Sequence, residues 1–158
     1  MTAAAVPAAV RPSAGRRAAE ILARLIVAAG LAVDAYVHVD VAGRYSHNPS
    51  GSLHQDKLFL IEAGVASFAA LMVFISGHRA AYALAFMVAA SALGGVLLYR
   101  YQNVGTLGPI PNMYEPLWYL KKTVSAIAEG AAAVAAAFGT GVAWSRRAVA
   151  VVSTDREP

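Results

Sequence analysis

Residues 80–99 run for twenty positions without one Asp, Glu, Lys or Arg. At 1.5 Å per residue such a run makes a helix of about 30 Å, which matches the hydrocarbon core of a bilayer. A surface helix of a soluble domain carries a polar stripe instead. The rest of the chain agrees: 58% of it is hydrophobic and 14% charged, against about half and a quarter in soluble domains. At 158 residues the chain has room for one compact unit and too little interior to hide that much apolar surface from water. Lipid must be part of its solvent.

Three further stretches fit the same reading, giving expected spans at about 21–41, 58–76, 80–99 and 123–144. The first is interrupted by Arg24, Asp34, His38 and Asp40, the second by Glu62, and the fourth by Glu129. The fold class expected is therefore all-α: an integral membrane four-helix bundle over residues 18–147. Residues 1–17 read as a disordered cytoplasmic tail and residues 148–158 as a second cytoplasmic tail. A cleaved secretory signal is the rival reading of the first span. Its apolar stretch continues through Val37, Val39 and Val41, long for a signal core, so retention is preferred.

Orientation follows from the Lys and Arg bias of cytoplasmic segments. With the N-terminus inside, that side holds Arg11, Arg16, Arg17, Arg24, Arg79, Arg146, Arg147 and Arg156. The other holds Arg44, Lys57, Arg100, Lys121 and Lys122. The arrangement is N-in and C-in, with two extracytoplasmic loops at about 42–57 and 100–122. Pro109, Pro111 and Pro116 deny the second loop a regular helix, and Tyr99, Tyr101, Tyr114, Trp118 and Tyr119 read as an interfacial aromatic belt, with Trp144 opposite. Small residues at helical spacing, Ala133, Ala137 and Gly141 on span four and Ser91 and Gly95 on span three, predict packing seams.

The net charge of +4 lies beside apolar runs rather than in a basic surface stripe, which disfavours nucleic acid as a partner. The sequence has no cysteine, which excludes covalent c-type haem and thiolate-bound iron–sulfur clusters. Among the four histidines only His38 falls within a span, so a bis-histidine haem site is not expected. No Walker loop, dinucleotide fingerprint or nucleophile elbow is present.

The charges inside the spans carry the functional information. Asp34 and His38 are four apart and share a helix face. At helical rise, Asp34, Glu62 and Glu129 lie about 10, 6 and 9 Å below the outer ends of their spans. Carboxylates in lipid face a bundle interior, a cavity or a partner. Asp34, His38, Glu62 and Glu129 are thus expected to point inward, with Arg100 as counter-ion to Glu62. Two readings stay open: an ion-pair network that fixes helix register, or an outward-facing pocket for a small ligand. Tyr101, Glu115, Tyr119 and Lys122 are the outer-loop candidates for such a pocket. A separate pattern, His38-x-Asp40 and His54-x-Asp56, offers imidazole and carboxylate to a divalent metal such as Zn(II) or Cu(II). Solvated loop histidines are the alternative, and His47 belongs to the same loop.

The stretch Leu60-Ile61-Glu62-Ala63-Gly64, its apolar helix, the Gly77-His78-Arg79 turn and the small-residue span that follows resemble the second and third helices of DoxX-like membrane proteins. Ala23-Arg24-Leu25-Ile26 with Gly30 is similar to that family's first helix. The resemblance covers roughly residues 20–100 and carries over only Glu62 as a polar position. The loop 107–119 has no counterpart there. It implies a four-helix bundle linked to quinone-associated redox complexes. The chain looks equally like other small membrane proteins of high-GC bacteria.

Three functions are expected in order. The first is an accessory, non-catalytic bacterial plasma-membrane protein whose pocket binds a small ligand or another membrane protein subunit. The second is a quinone-linked oxidoreductase subunit, and the third an extracytoplasmic metal-binding protein.

Overall fold

A computed structural model describes residues 13–46 and 52–154, with side chains through Val142. The chain is all-α: α1 Ala14–Ala42, a 3₁₀ turn at Gly43–Tyr45, α2 Gln55–Ser76, α3 Arg79–Tyr101 and α4 Leu120–Thr154. Four helices are each long and apolar enough to cross a membrane, as the hydropathy of the sequence requires.

The helices outrun the expected spans. α1 starts at Ala14, inside the stretch read as an irregular tail, because the Ser13 hydroxyl caps it by accepting from the Arg16 N–H at 3.4 Å. The Arg16 guanidinium then bonds Glu20 at 3.5 Å and donates to the Val142 carbonyl of α4 at 3.2 Å. α4 has 35 residues, a length of about 52 Å. It projects beyond any hydrocarbon core and takes in residues 148–154 of the second expected tail. Residues 1–12, 47–51 and 155–158, His47 among them, lie outside the described residues, as does the Trp144 side chain.

The α2–α3 hairpin is fixed by local chemistry. Gly77 closes α2 in the left-handed region at φ 53° and its N–H donates to the Val73 carbonyl at 3.0 Å, a conformation that favours glycine. The Arg24 side chain lies where a Cβ at Gly77 would stand. His78 opens α3, its Nδ1 accepting from the Ala80 N–H at 3.4 Å.

Around the bundle the order is α2, α1, α4, α3. α1 packs closely on α2 and on α4, and α3 on α4, while the neighbours α2 and α3 meet more loosely and α1 barely touches α3. The interior is built from small side chains: Ala66, Ala69, Ala85, Ala89, Ala132 and Ala136 are fully buried. Large apolar residues such as Ile21, Leu25, Phe68, Phe74, Met87 and Phe138 are exposed on the outside. This is the distribution expected where lipid solvates the outer face and close backbone approach holds the helices together.

The seam on α4 differs from the expected one. Ala132, Ala136 and Gly139 face the core, joined by Ala133 and Ala135, whereas Ala137 and Gly141 are exposed. Residues 131–137 read Ala-Ala-Ala-Val-Ala-Ala-Ala, so several stripes of small residues exist about 100° apart per residue. Only the neighbouring helices choose between them. Ser91 and Gly95 likewise do not form a seam but border a cavity.

Candidate functional site

Asp34 and His38 of α1 meet Ser125 and Glu129 of α4 in the bundle. His38 Nδ1 lies 2.9 Å from Asp34 Oδ1 and 3.1 Å from the Asp34 main-chain carbonyl. The Ser125 hydroxyl lies 2.8 Å from Asp34 Oδ1 and 2.8 Å from Glu129 Oε1. Asp34 and Glu129 are both 0% exposed. The spacing of four residues on each helix stacks each pair on one face, and the close α1–α4 crossing brings the two faces together.

The donor count here is short. Four buried carboxyl oxygens face one imidazole and one hydroxyl, and Asp34 Oδ2 and Glu129 Oε2 have no hydrogen-bond partner. Two carboxyl groups this close and this dry cannot both stay ionised unless a proton or a cation lies between them.

The expected Glu62–Arg100 ion pair does not form. Glu62 Oε1 and Arg100 Nε are both buried without a partner. Arg100, at the loop end of α3, stacks its guanidinium over the rings of Tyr101 at 5.0 Å and Trp118 at 5.7 Å. A long cationic side chain near a helix end reaches outward to the interface rather than inward, while Glu62 stays on the inner wall.

The two His-x-Asp pairs are not brought together either. Asp40 is two residues past His38, about 200° round the helix, and pairs with Lys121 on the exposed side. His54 is the exposed N-cap residue of α2, and Asp56 pairs with Lys57 at 3.3 Å. The cluster that could hold a metal ion among the described residues is instead Asp34, His38 and Glu129, whose ligand atoms lie within 4.8 Å of one another.

Above this cluster a cavity of about 340 Å³ opens towards the end of the bundle that carries the two longer loops. Its apolar wall comes from Val37 and Val41 of α1, Leu58 and Phe59 of α2, and Val96 of α3. His38, Glu62 and Ser125 form its polar side, and Glu115, Tyr119 and Lys122 lie nearer the mouth. Ser91, Ala92 and Gly95 leave the space that larger residues on α3 would fill. Phe59 stands edge-on to both His38, at 5.3 Å, and Tyr45, at 5.2 Å.

The loop 102–119 roofs the cavity and is pinned at several points. Glu115 N–H donates to the Tyr99 carbonyl at 3.0 Å, Leu53 N–H to the Pro109 carbonyl at 3.0 Å, and Lys122 Nζ to the Glu115 carbonyl. The Tyr119 and Tyr45 hydroxyls lie 3.3 Å apart. Burial and that contact push the Tyr119 phenol above its ordinary range, so it stays a neutral hydrogen-bonding group at the mouth. Tyr99 is buried and Tyr119 half-buried. Both line the cavity. Tyr101 is exposed outside it.

Ser125 was the residue that sequence reasoning missed. Its signal was its position four residues before Glu129 on the same face. Compared with family models, curated proteins and solved structures, the chain matches none of them.

Proposed function

We propose that this is a multi-pass membrane protein that binds a small amphipathic molecule in the cavity beside Glu62. The observation that carries the reading is a cavity of about 340 Å³ with an unpartnered buried carboxyl oxygen, Glu62 Oε1, on its wall. That volume is within the range of small-molecule sites, which combine apolar walls with a few convergent polar groups. The ligand it suits has an apolar body and a head that donates a hydrogen bond to Glu62, such as a hydroxyl, a quinol or an amine. A pure register-fixing network would leave no such space.

The second reading, a quinone-linked subunit of a membrane oxidoreductase, draws on the aromatic and acid–base groups at the same wall. The resemblance to DoxX-like proteins points the same way, since its one matched polar residue, Glu62, is the group facing the cavity. In either case the protein acts as an accessory or ligand-binding component of a bacterial plasma membrane. The Ala- and Arg-rich composition supports that host.

The test fills the space. A Cβ at Gly95 would meet no atom within 4 Å, and the residue lines the cavity, so the ring of Gly95→Phe is expected to enter that space with the helical fold kept. In detergent, a short-chain quinol or alkylamine at a hundredfold excess over its Kd should stabilise the unaltered protein by about 2.7 kcal/mol. Gly95→Phe should lose that stabilisation. A response to neither probe, or an equal response in the filled variant, removes the cavity as a binding site.

The orientation we propose is N-in and C-in, on the strength of eight against five basic residues, which directs the cavity outward. Reporter fusions after Arg79 and Arg147 should read cytoplasmic, and those near Ser50 and Asn112 extracytoplasmic. The inverse pattern would turn the cavity to the cytoplasm.

A further inference from the structure

The geometry points to a divalent transition-metal site formed by Asp34, His38 and Glu129, at the foot of the cavity. The cluster is more than an accumulation of acidic residues. Asp34 and Glu129 are 0% exposed, and each keeps one carboxyl oxygen with no donor. One ligand atom from each of Asp34, His38 and Glu129 lies within 4.8 Å of the others. An ion held at about 2.0–2.2 Å needs its ligands about 3–4 Å apart, a contraction that side-chain rotation supplies.

Charge and ligand type agree on the class of ion. Two carboxylates and a divalent cation sum to zero, which suits a site without water better than two bare anions. A monovalent ion would leave a net charge. Carboxylate oxygens alone would suit Mg(II) or Ca(II), but the imidazole moves the preference to Zn(II), Mn(II) or Fe(II). The set contains no sulfur, which disfavours Cu(I). Ser125 supplies a neutral oxygen beside both carboxylates. His38 and Ser125 also line the cavity, so an ion has a route in from the loop end.

This inference does not rest on the amphiphile reading. Loss of amphiphile binding with the ion retained would strike only that reading, and the reverse would strike only this one.

The test uses the full chain in detergent, free of any affinity tag, stripped with a chelator and then loaded with Zn(II) or Mn(II). Elemental analysis after desalting should find one ion per chain, and loading should raise the unfolding temperature. Asp34→Asn and Glu129→Gln, checked for native helicity, should lose the ion, whereas Asp40→Asn should keep it. Co(II) loading of the unaltered protein gives a readout that needs no variant: its visible spectrum should depart from that of the hydrated ion. Three results would overturn the site. They are no ion retained, a Co(II) spectrum identical to that of the hydrated ion, and retention by Glu129→Gln equal to the parent. Stability that responds to pH but to neither Zn(II) nor Mn(II) would also overturn it, by showing that protons alone neutralise the pair.

Discussion

In chelator-treated protein, His38→Leu should destabilise the bundle by about 3–5 kcal/mol, and adding Asp34→Leu should recover most of the loss. Two side chains reach Asp34 Oδ1: the His38 imidazole at 2.9 Å and the Ser125 hydroxyl at 2.8 Å. Asp34 has no contact with solvent, so water cannot replace a donor that is removed. Leucine at position 38 therefore strands a carboxylate beside Glu129 with only a shared hydroxyl between them. Leucine at both positions removes the stranded charge and leaves Ser125 free to serve Glu129 alone, 2.8 Å away. The double-mutant cycle isolates the coupling. Reversible unfolding of the four proteins in detergent should show strong non-additivity. Glu62→Gln and Arg100→Gln, which the sequence alone would pair, should instead act independently, because the structure keeps them apart. Additivity in the Asp34–His38 cycle would mean that the buried contact contributes nothing to folding.

The second large effect is expected at Gly30, where α1 crosses α4. A Cβ placed there would stand 2.7 Å from the Ala128 carbonyl oxygen and 3.0 Å from the Ala132 Cβ. The obstacle is backbone on the facing helix, which cannot rotate aside, so the helices must separate. Gly30→Leu should cost at least the 1–3 kcal/mol typical of overpacking, roughly, and more where main chain is displaced. The same crossing brings Asp34 to Ser125, so the variant should also lose the metal and any response to it. Ala137→Leu, on the exposed side of α4, is the matched control and should stay within about 0.5 kcal/mol of the parent. Thermal unfolding of both variants decides between the two faces of α4. Equal tolerance would show that α1 and α4 do not approach as closely as described.

The number and class of the helices were legible without a structure, because each depends on chain-local properties. An uncharged run such as 80–99 must satisfy its backbone internally, and lipid leaves the helix as the only way to do so for a single segment. The presence of inward-facing groups was legible for the same reason, since a carboxylate in a span cannot face lipid cheaply. Pairings were not legible. Periodicity ranks residues around one helix but says nothing of its rotation against the next, so Ala137 and Ala136 were equivalent until α1 and α3 chose a side. Arg100 and Glu62 suggested a pair because depth along the membrane was the only coordinate the sequence supplied. The structure adds the other two coordinates. They direct Arg100 onto Tyr101 and Trp118, leave Glu62 on the cavity wall, and place Ser125 between two carboxylates that are 95 residues apart in the chain. Local chemistry determined what must be buried, and the close approach of the helices through small residues decided what it is buried against.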